Sequence, residues 1–77
     1  MNRRDLALIA VTRAALEDGS ARRRRVAARI RLGEMAAACE VSASMVSMIE
    51  RGQRSPGTVL ALAYGRALAE AERRLAA

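Results

Sequence analysis

Apolar positions recur along the chain at helical spacing, and sparse punctuation divides it into segments. After the polar Arg3, Arg4 and Asp5, apolar residues dominate through Leu16, with Leu8, Val11 and Ala15 on one stripe and Leu6, Ile9 and Arg13 on another. This predicts a helix over 4–17 that is apolar over more than one face. Asp18-Gly19-Ser20 supplies a stop and a start: Gly19 suits the left-handed position after a helix, and Ser20 suits an N-cap. A second helix is expected over 21–29. Nothing from Ala21 to Cys39 interrupts a helix except Gly33, at only about 1 kcal/mol relative to Ala. A break near Ile30–Leu32 is placed because residues 32–39 read as a short helix of their own, with Met35, Ala36 and Cys39 as its inner face.

Glu40-Val41-Ser42 reads as a turn, and Ser42 as the N-cap of a helix over 43–51. Val46 and Ile49 lie three apart on its inner face, while Ser44, Ser47 and Met48 point elsewhere. Gly52 ends it. Ser55-Pro56 reads as a restart, with Ser at the N-cap and Pro at the first helical position. The last helix then runs to about Leu75, with Val59 or Leu60, then Ala63, Ala67 and Leu68, turned inward. Arg66, Glu70, Arg73 and Arg74 are spaced to pair along its outer face. The fold class is thus all-α, a compact bundle of about five helices in one domain spanning 1–77.

Composition narrows the chemistry. The 77 residues contain no His and one Cys, which excludes an intrachain disulfide framework and the usual zinc sites. Of the 52% hydrophobic residues, 18 are alanines, and Tyr64 is the single aromatic. So thin a core fits close-packed helices and no deep substrate pocket. Ser42, Ser44 and Ser47 have no His to activate them, Glu17 and Asp18 diverge on a helix, and no Gly-rich phosphate loop is present, so no catalytic group, cofactor or small-molecule ligand is expected. Tyr64 reads as a core or rim aromatic, and Cys39 as a small core residue. The apolar run from Leu6 to Val11 is too short to span a bilayer and lacks a signal-peptide cleavage region, so a cytoplasmic, reducing location is expected.

The charge changes the picture most. Net charge is +6, the sequence pI is near 11.4, and all 14 basic residues are Arg, the side chain best suited to bidentate phosphate recognition. The available polyanions are nucleic acid and anionic membrane, and basic residues scattered over several faces argue against a membrane-surface helix. Arg22 to Arg25 point in four directions on a helix, so about two of them can face phosphate.

Residues 32–51, a short helix, a tight turn and a second helix with Ala36 near the crossing, have the spacing of a helix-turn-helix. Met35, Cys39, Val41, Val46 and Ile49 are the apolar contacts that would lock the pair. The chain here resembles the Cro and phage-repressor type, or XRE-like, helix-turn-helix family. The resemblance rests on Arg25, the stretch EMAAACEVSASMVSMIERGQRSP, and VLALAYGRAL, in register without gaps from Arg25 to Leu68. It implies a family core over 21–68, with 4–17 as an added helix and 69–77 as a C-terminal extension.

The resemblance also implies roles. Arg25 corresponds to the arginine that pairs with the glutamate ending the recognition helix, here Glu50. Ala43, Ser44, Ser47 and Met48 correspond to positions facing DNA bases; Gln53 and Arg54 lie in the loop that grips the DNA backbone, and Arg22 and Arg24 where first-helix basic residues approach phosphate. Three positions depart from the family pattern. Leu32 replaces a phosphate-contacting Gln, Arg31 stands where a better N-cap is usual, and Glu40 takes a turn position that favours Gly. The implied function is sequence-specific regulation of transcription, with repression by operator occlusion and a homodimer on double-stranded DNA. The rival is an antitoxin-like adaptor that binds a partner protein through the apolar helix 4–17 and DNA only for autoregulation. Helix 4–17 either packs across the core and joins a dimer interface or simply completes a monomeric bundle.

Overall fold

A computed structural model of the chain describes residues 1–77. Five helices succeed one another: α1 (Arg3–Asp18), α2 (Ser20–Ala27), α3 (Leu32–Cys39), α4 (Ala43–Glu50) and α5 (Thr58–Ala76). The expected all-helical bundle is what forms, and no single helix is long and apolar enough to cross a membrane. α1 and α5 pack against one another, α3 packs on α4 and α5, and α2 and α4 close the core against α1. That core is built from Leu16, Met35, Val46, Ile49, Tyr64 and Leu68, with alanines filling the narrow spaces.

Local rules explain most boundaries. Asn2 caps α1, its side chain accepting from the Asp5 N–H at 2.9 Å. Ser42 caps α4, its Oγ accepting from the Met45 N–H at 3.1 Å. Three helices stop in the same hydrogen-bonded motif, in which one residue past the helix turns left-handed and two successive amides reach back to the last carbonyls. In α4 the left-handed residue is Gly52, with Gly52 N–H on Ile49 and Gln53 N–H on Met48. In α3 it is Glu40 at φ 57°, and in α2 it is Arg29 at φ 62°. Each of those non-glycine residues costs about 1–2 kcal/mol.

Three expectations need correcting. Ser20 is not an N-cap but the first residue of α2. Its N–H donates to the Asp18 carboxylate at 2.8 Å and its Oγ turns back to the Ala15 carbonyl, while the left-handed Gly19 takes the cap position with no side chain to fill it. Ser55-Pro56 does not start α5. Pro56 is half-buried beside Arg13, the extended Gly57 is the cap, and the helix begins at Thr58. Its inner face centres on Ala61, Tyr64, Gly65 and Leu68; of the expected inner positions Leu68 is buried, Leu60, Ala63 and Ala67 pack on the core from the margin, and Val59 is exposed. In α1 the buried residues are Ile9, Thr12, Ala15 and Leu16, while Leu6 and Val11 face solvent. Finally, Arg66 does not pair along α5 but reaches Asp5 of α1 at 3.0 Å, leaving Glu70 to Arg73 and Arg74.

At Gly65 α5 lies in close contact with α1. A Cβ there would lie 2.4 Å from Thr12 Oγ1 and 3.0 Å from Leu8 Cγ. The contact is what lets the long α5 lie directly against α1, and it needs the absent side chain.

Candidate nucleic-acid interface

α3 and α4 are both eight residues long, too short to be stable alone, so their placement comes from packing. The chain bends by 103° between them, inside the range of a helix-turn-helix. Ala36 and Met35 of α3 are buried against Val46 and Ile49 of α4, and Val41 of the turn packs on the same cluster. Leu32, at the start of α3, also packs on that core, so its side chain is not offered outward. Arg31 precedes it without a capping side chain of its own. Its N–H is instead satisfied by the Glu34 carboxylate at 2.8 Å.

The inner side of α4 is Val46, Ile49 and Glu50. At about 100° per residue, Ser44, Ser47 and Met48 fall away from that side, while Ala43, seven residues before Glu50, is in line with the inner residues and is open to solvent because it begins the first turn. Ala43 and Ser44 are exposed, Ser47 and Met48 half-buried. Arg51 continues that outward row, seven residues beyond Ser44 and four beyond Ser47, with its Nε 3.4 Å from the Ser47 carbonyl. Its spacing was the available signal for it, obscured because it sits just past the helix end. Gln53 and Arg54 are exposed in the loop after α4.

What holds α4 in place is a buried polar clamp. Arg25 of α2 donates twice to Glu50, Nε to Oε2 at 2.6 Å and Nη2 to Oε1 at 3.0 Å, and its Nη1 donates to the Ile30 carbonyl at 2.8 Å. Tyr64 of α5 donates its hydroxyl to Glu50 Oε2 at 2.6 Å. Arg25 is 6% exposed, Glu50 5% and Tyr64 0%. Both carboxylate oxygens are used, and no buried side-chain polar atom in the protein lacks a partner. The Glu50 hydrogen bonds push the Arg25 guanidinium further towards its charged form. Burial, and then the carboxylate it donates to, push the Tyr64 phenol well above its usual range. Tyr64 thus carries a polar role that a single aromatic in a helical pattern does not announce; only its position facing the Arg25–Glu50 pair reveals it.

The remaining arginines divide by partner. Arg24 is held by Glu72 of α5 through two hydrogen bonds at 2.9 and 2.7 Å, so its guanidinium is committed within the free protein. Arg22 is exposed and has no ion-pair partner, and the same holds for Arg29, Arg31, Arg51 and Arg54.

A model of the helix-turn-helix family HTH_3 matches residues 22–71, which takes in α3, α4 and most of α2 and α5. The chain belongs to the XRE-type helix-turn-helix family. Comparison with curated proteins and with solved structures finds no match. As a member of this family it is a DNA-binding regulator, and the family is not an enzyme class. The matched segment begins after α1, so that helix lies outside the family pattern while contributing Leu16 and Ile9 to the buried interior.

Proposed function

We propose that this XRE-type regulator is a repressor that occludes its operator, with α4 lying in the major groove. The observation that carries the reading is the outward row of α4, a small polar face backed by a helix clamped at its C-terminal end. Ala43, Ser44, Ser47 and Met48 face the bases; Ala43 and Met48 suit thymine methyl groups, and the serines suit base edges or phosphate. Arg22, Gln53 and Arg54 hold the DNA backbone, joined by Arg51 at the end of the same row. Arg24 joins them only by leaving Glu72, an exchange a phosphate can drive because that pair is more than a third exposed. Two copies would set their α4 helices in successive major grooves about 34 Å apart on a near-palindromic site. The working location is the cytoplasm, at the nucleoid.

Fluorescence anisotropy tests this with duplex DNA from upstream of the protein's own gene against a scrambled duplex, each at low and physiological salt. A preference for the upstream duplex that survives physiological salt is expected. Equal binding that vanishes as salt rises would reduce the interaction to general electrostatics. Replacing thymine by uracil at contacted positions weakens binding if methyl contacts carry specificity. A second reading, an adaptor for a partner protein, is favoured by one observation, the exposed apolar side of α1; co-purification of a neighbouring gene product would support it.

A further inference from the structure

α1 is apolar on two sides, and the core uses only one. Ile9, Thr12, Ala15 and Leu16 are turned inward. Leu6, Ala7, Ala10, Val11 and Ala14 are exposed, with Leu6 at 59% and Val11 at 58%. At about 100° per residue these five share one side of the helix, opposite the buried residues. An apolar helix side rimmed by charge marks a contact surface. The rim is asymmetric: Arg3 and Arg4 stand at its start and Glu17 and Asp18 at its end, all exposed, and none of the four has an ion-pair partner within the chain. Arg3, Ala10 and Glu17 are spaced seven apart, two turns each, and so lie along the middle of that side.

We infer that this side of α1 pairs with the same side of a second copy of the chain, antiparallel, about a twofold axis at Ala10. In that register Arg3 meets the partner's Glu17, and Leu6 meets the partner's Ala14. Ala10 meets its own counterpart, where the small side chain allows close approach. A parallel pairing would oppose Arg3 to Arg3 and Glu17 to Glu17, so the end charges select the antiparallel one. The helix dipoles favour the same choice. Such a contact is isologous and closes at two copies.

One helix per copy, about 20 Å long between Arg3 and Glu17, makes an interface below about 1,200 Å², at the weak end of specific contacts. Association of the free protein is therefore weak and concentration-dependent. It strengthens where two half-sites hold two copies at high effective concentration. The pairing rests on the proposed operator reading only for its use on DNA. It is tested without DNA, so its failure and the failure of the groove-reading model are separable.

The test is disulfide trapping in the full chain with the buried Cys39 replaced by Ala. Under mild oxidation Ala10→Cys should form an interchain disulfide. Leu6→Cys mixed with Ala14→Cys should form a mixed dimer, while Leu6→Cys alone stays monomeric. In the antiparallel register its copies are eight residues, about 12 Å, out of step, beyond the reach of about 7 Å between Cα atoms. Trapping of Leu6→Cys alone, or of none of the variants, overturns the register. Sedimentation equilibrium at low salt gives the second readout. Glu17→Arg should weaken self-association about tenfold, because two exposed pairs turn from attractive to repulsive together, and Arg3→Glu added to it should restore the affinity. A chain that stays monomeric at high concentration with its helicity intact refutes the pairing, as does a complex in which a different protein covers this side and leaves one copy of the chain.

Discussion

Arg25→Met tests the buried clamp most directly. The substitution keeps the aliphatic stem and removes the guanidinium, which makes three hydrogen bonds of 2.6–3.0 Å. Glu50 is then left 5% exposed with only the Tyr64 hydroxyl on one of its oxygens, and the Ile30 carbonyl loses its donor. Removing one partner of a buried ion pair costs about 3–5 kcal/mol, mostly because the remaining charge is stranded out of water. An exposed pair would cost about 0–1 kcal/mol. A chain of 77 residues has a total stability of about 4–12 kcal/mol, so the loss takes much of the margin. Urea unfolding followed by circular dichroism should place the midpoint far below that of the wild-type protein. Adding Glu50→Gln should recover part of the loss, since the second change removes the stranded charge. A loss under about 1 kcal/mol for Arg25→Met, or full additivity of the two substitutions, would refute the idea that the clamp fixes α4.

The same structure sets four further outcomes. Tyr64→Phe removes one hydrogen bond to a charged acceptor and should cost about 1.5–3 kcal/mol by the same unfolding assay; because Tyr64 is the only aromatic, its ionisation can be tracked by its ultraviolet absorbance and should be delayed beyond the ordinary tyrosine range until the protein unfolds. Gly65→Ala drives a methyl into Thr12 and Leu8 and should destabilise by about 1–3 kcal/mol, whereas Gly33→Ala, with nothing within 4 Å, should stabilise by about 0.5–1 kcal/mol; equal effects would sink the close-contact argument. Arg29→Gly and Glu40→Gly each relieve a left-handed residue and should stabilise the fold by about 1 kcal/mol apiece, read as a higher thermal midpoint. Hydrogen bonds from Arg24 hold the Glu72 carboxyl below its ordinary 4.5, so its stabilisation is complete above that value and is lost as pH falls through the lower folded value; acid titration of stability should therefore be shallower in Glu72→Gln.

Local rules made much of this legible. Ser42 and Gly52 bound α4 because capping and left-handed turns are decided by neighbouring atoms, and Val46 and Ile49 are buried because a helix with one apolar side has only one way to sit on a core. Other features depended on distant partners. The end of α2 is the clearest case. Its left-handed residue is Arg29, which propensity does not mark. The turn is held by the Ile30 N–H on the Arg25 carbonyl at 3.1 Å and by the Arg25 side chain on the Ile30 carbonyl. Since Arg25 is itself fixed by Glu50, twenty-five residues on, the break lies where the ion pair forces it. The centre of the inner side of α5 has the same origin. Ala63 and Ala67 fit a helical stripe as well as Ala61 and Gly65 do, and the choice is made by Tyr64 reaching Glu50 and by α1 resting on Gly65. Arg24 reads as a phosphate contact and Arg66 as a partner along its own helix until α5 brings Glu72, and α1 brings Asp5, within reach.

On the proposed reading, the clamp and the composition of α4 explain one another. A recognition face built from long side chains tolerates a loosely set helix, because Arg or Gln can extend to make up an ångström. Ala43, Ser44 and Ser47 cannot; they end one or two bonds from the backbone, so a contact they make depends on where the backbone is. α4 has eight residues and little intrinsic stability, with a cap at its start and, at its end, a carboxylate bound by α2 and α5 together. Two helices thereby fix the C-terminal end of a third through one side chain. On the proposed reading, loosening that end would leave the arginines free to hold phosphate while the short side chains drift out of reach of the bases, so the clamp bears on which sequence is bound more than on whether DNA is bound at all.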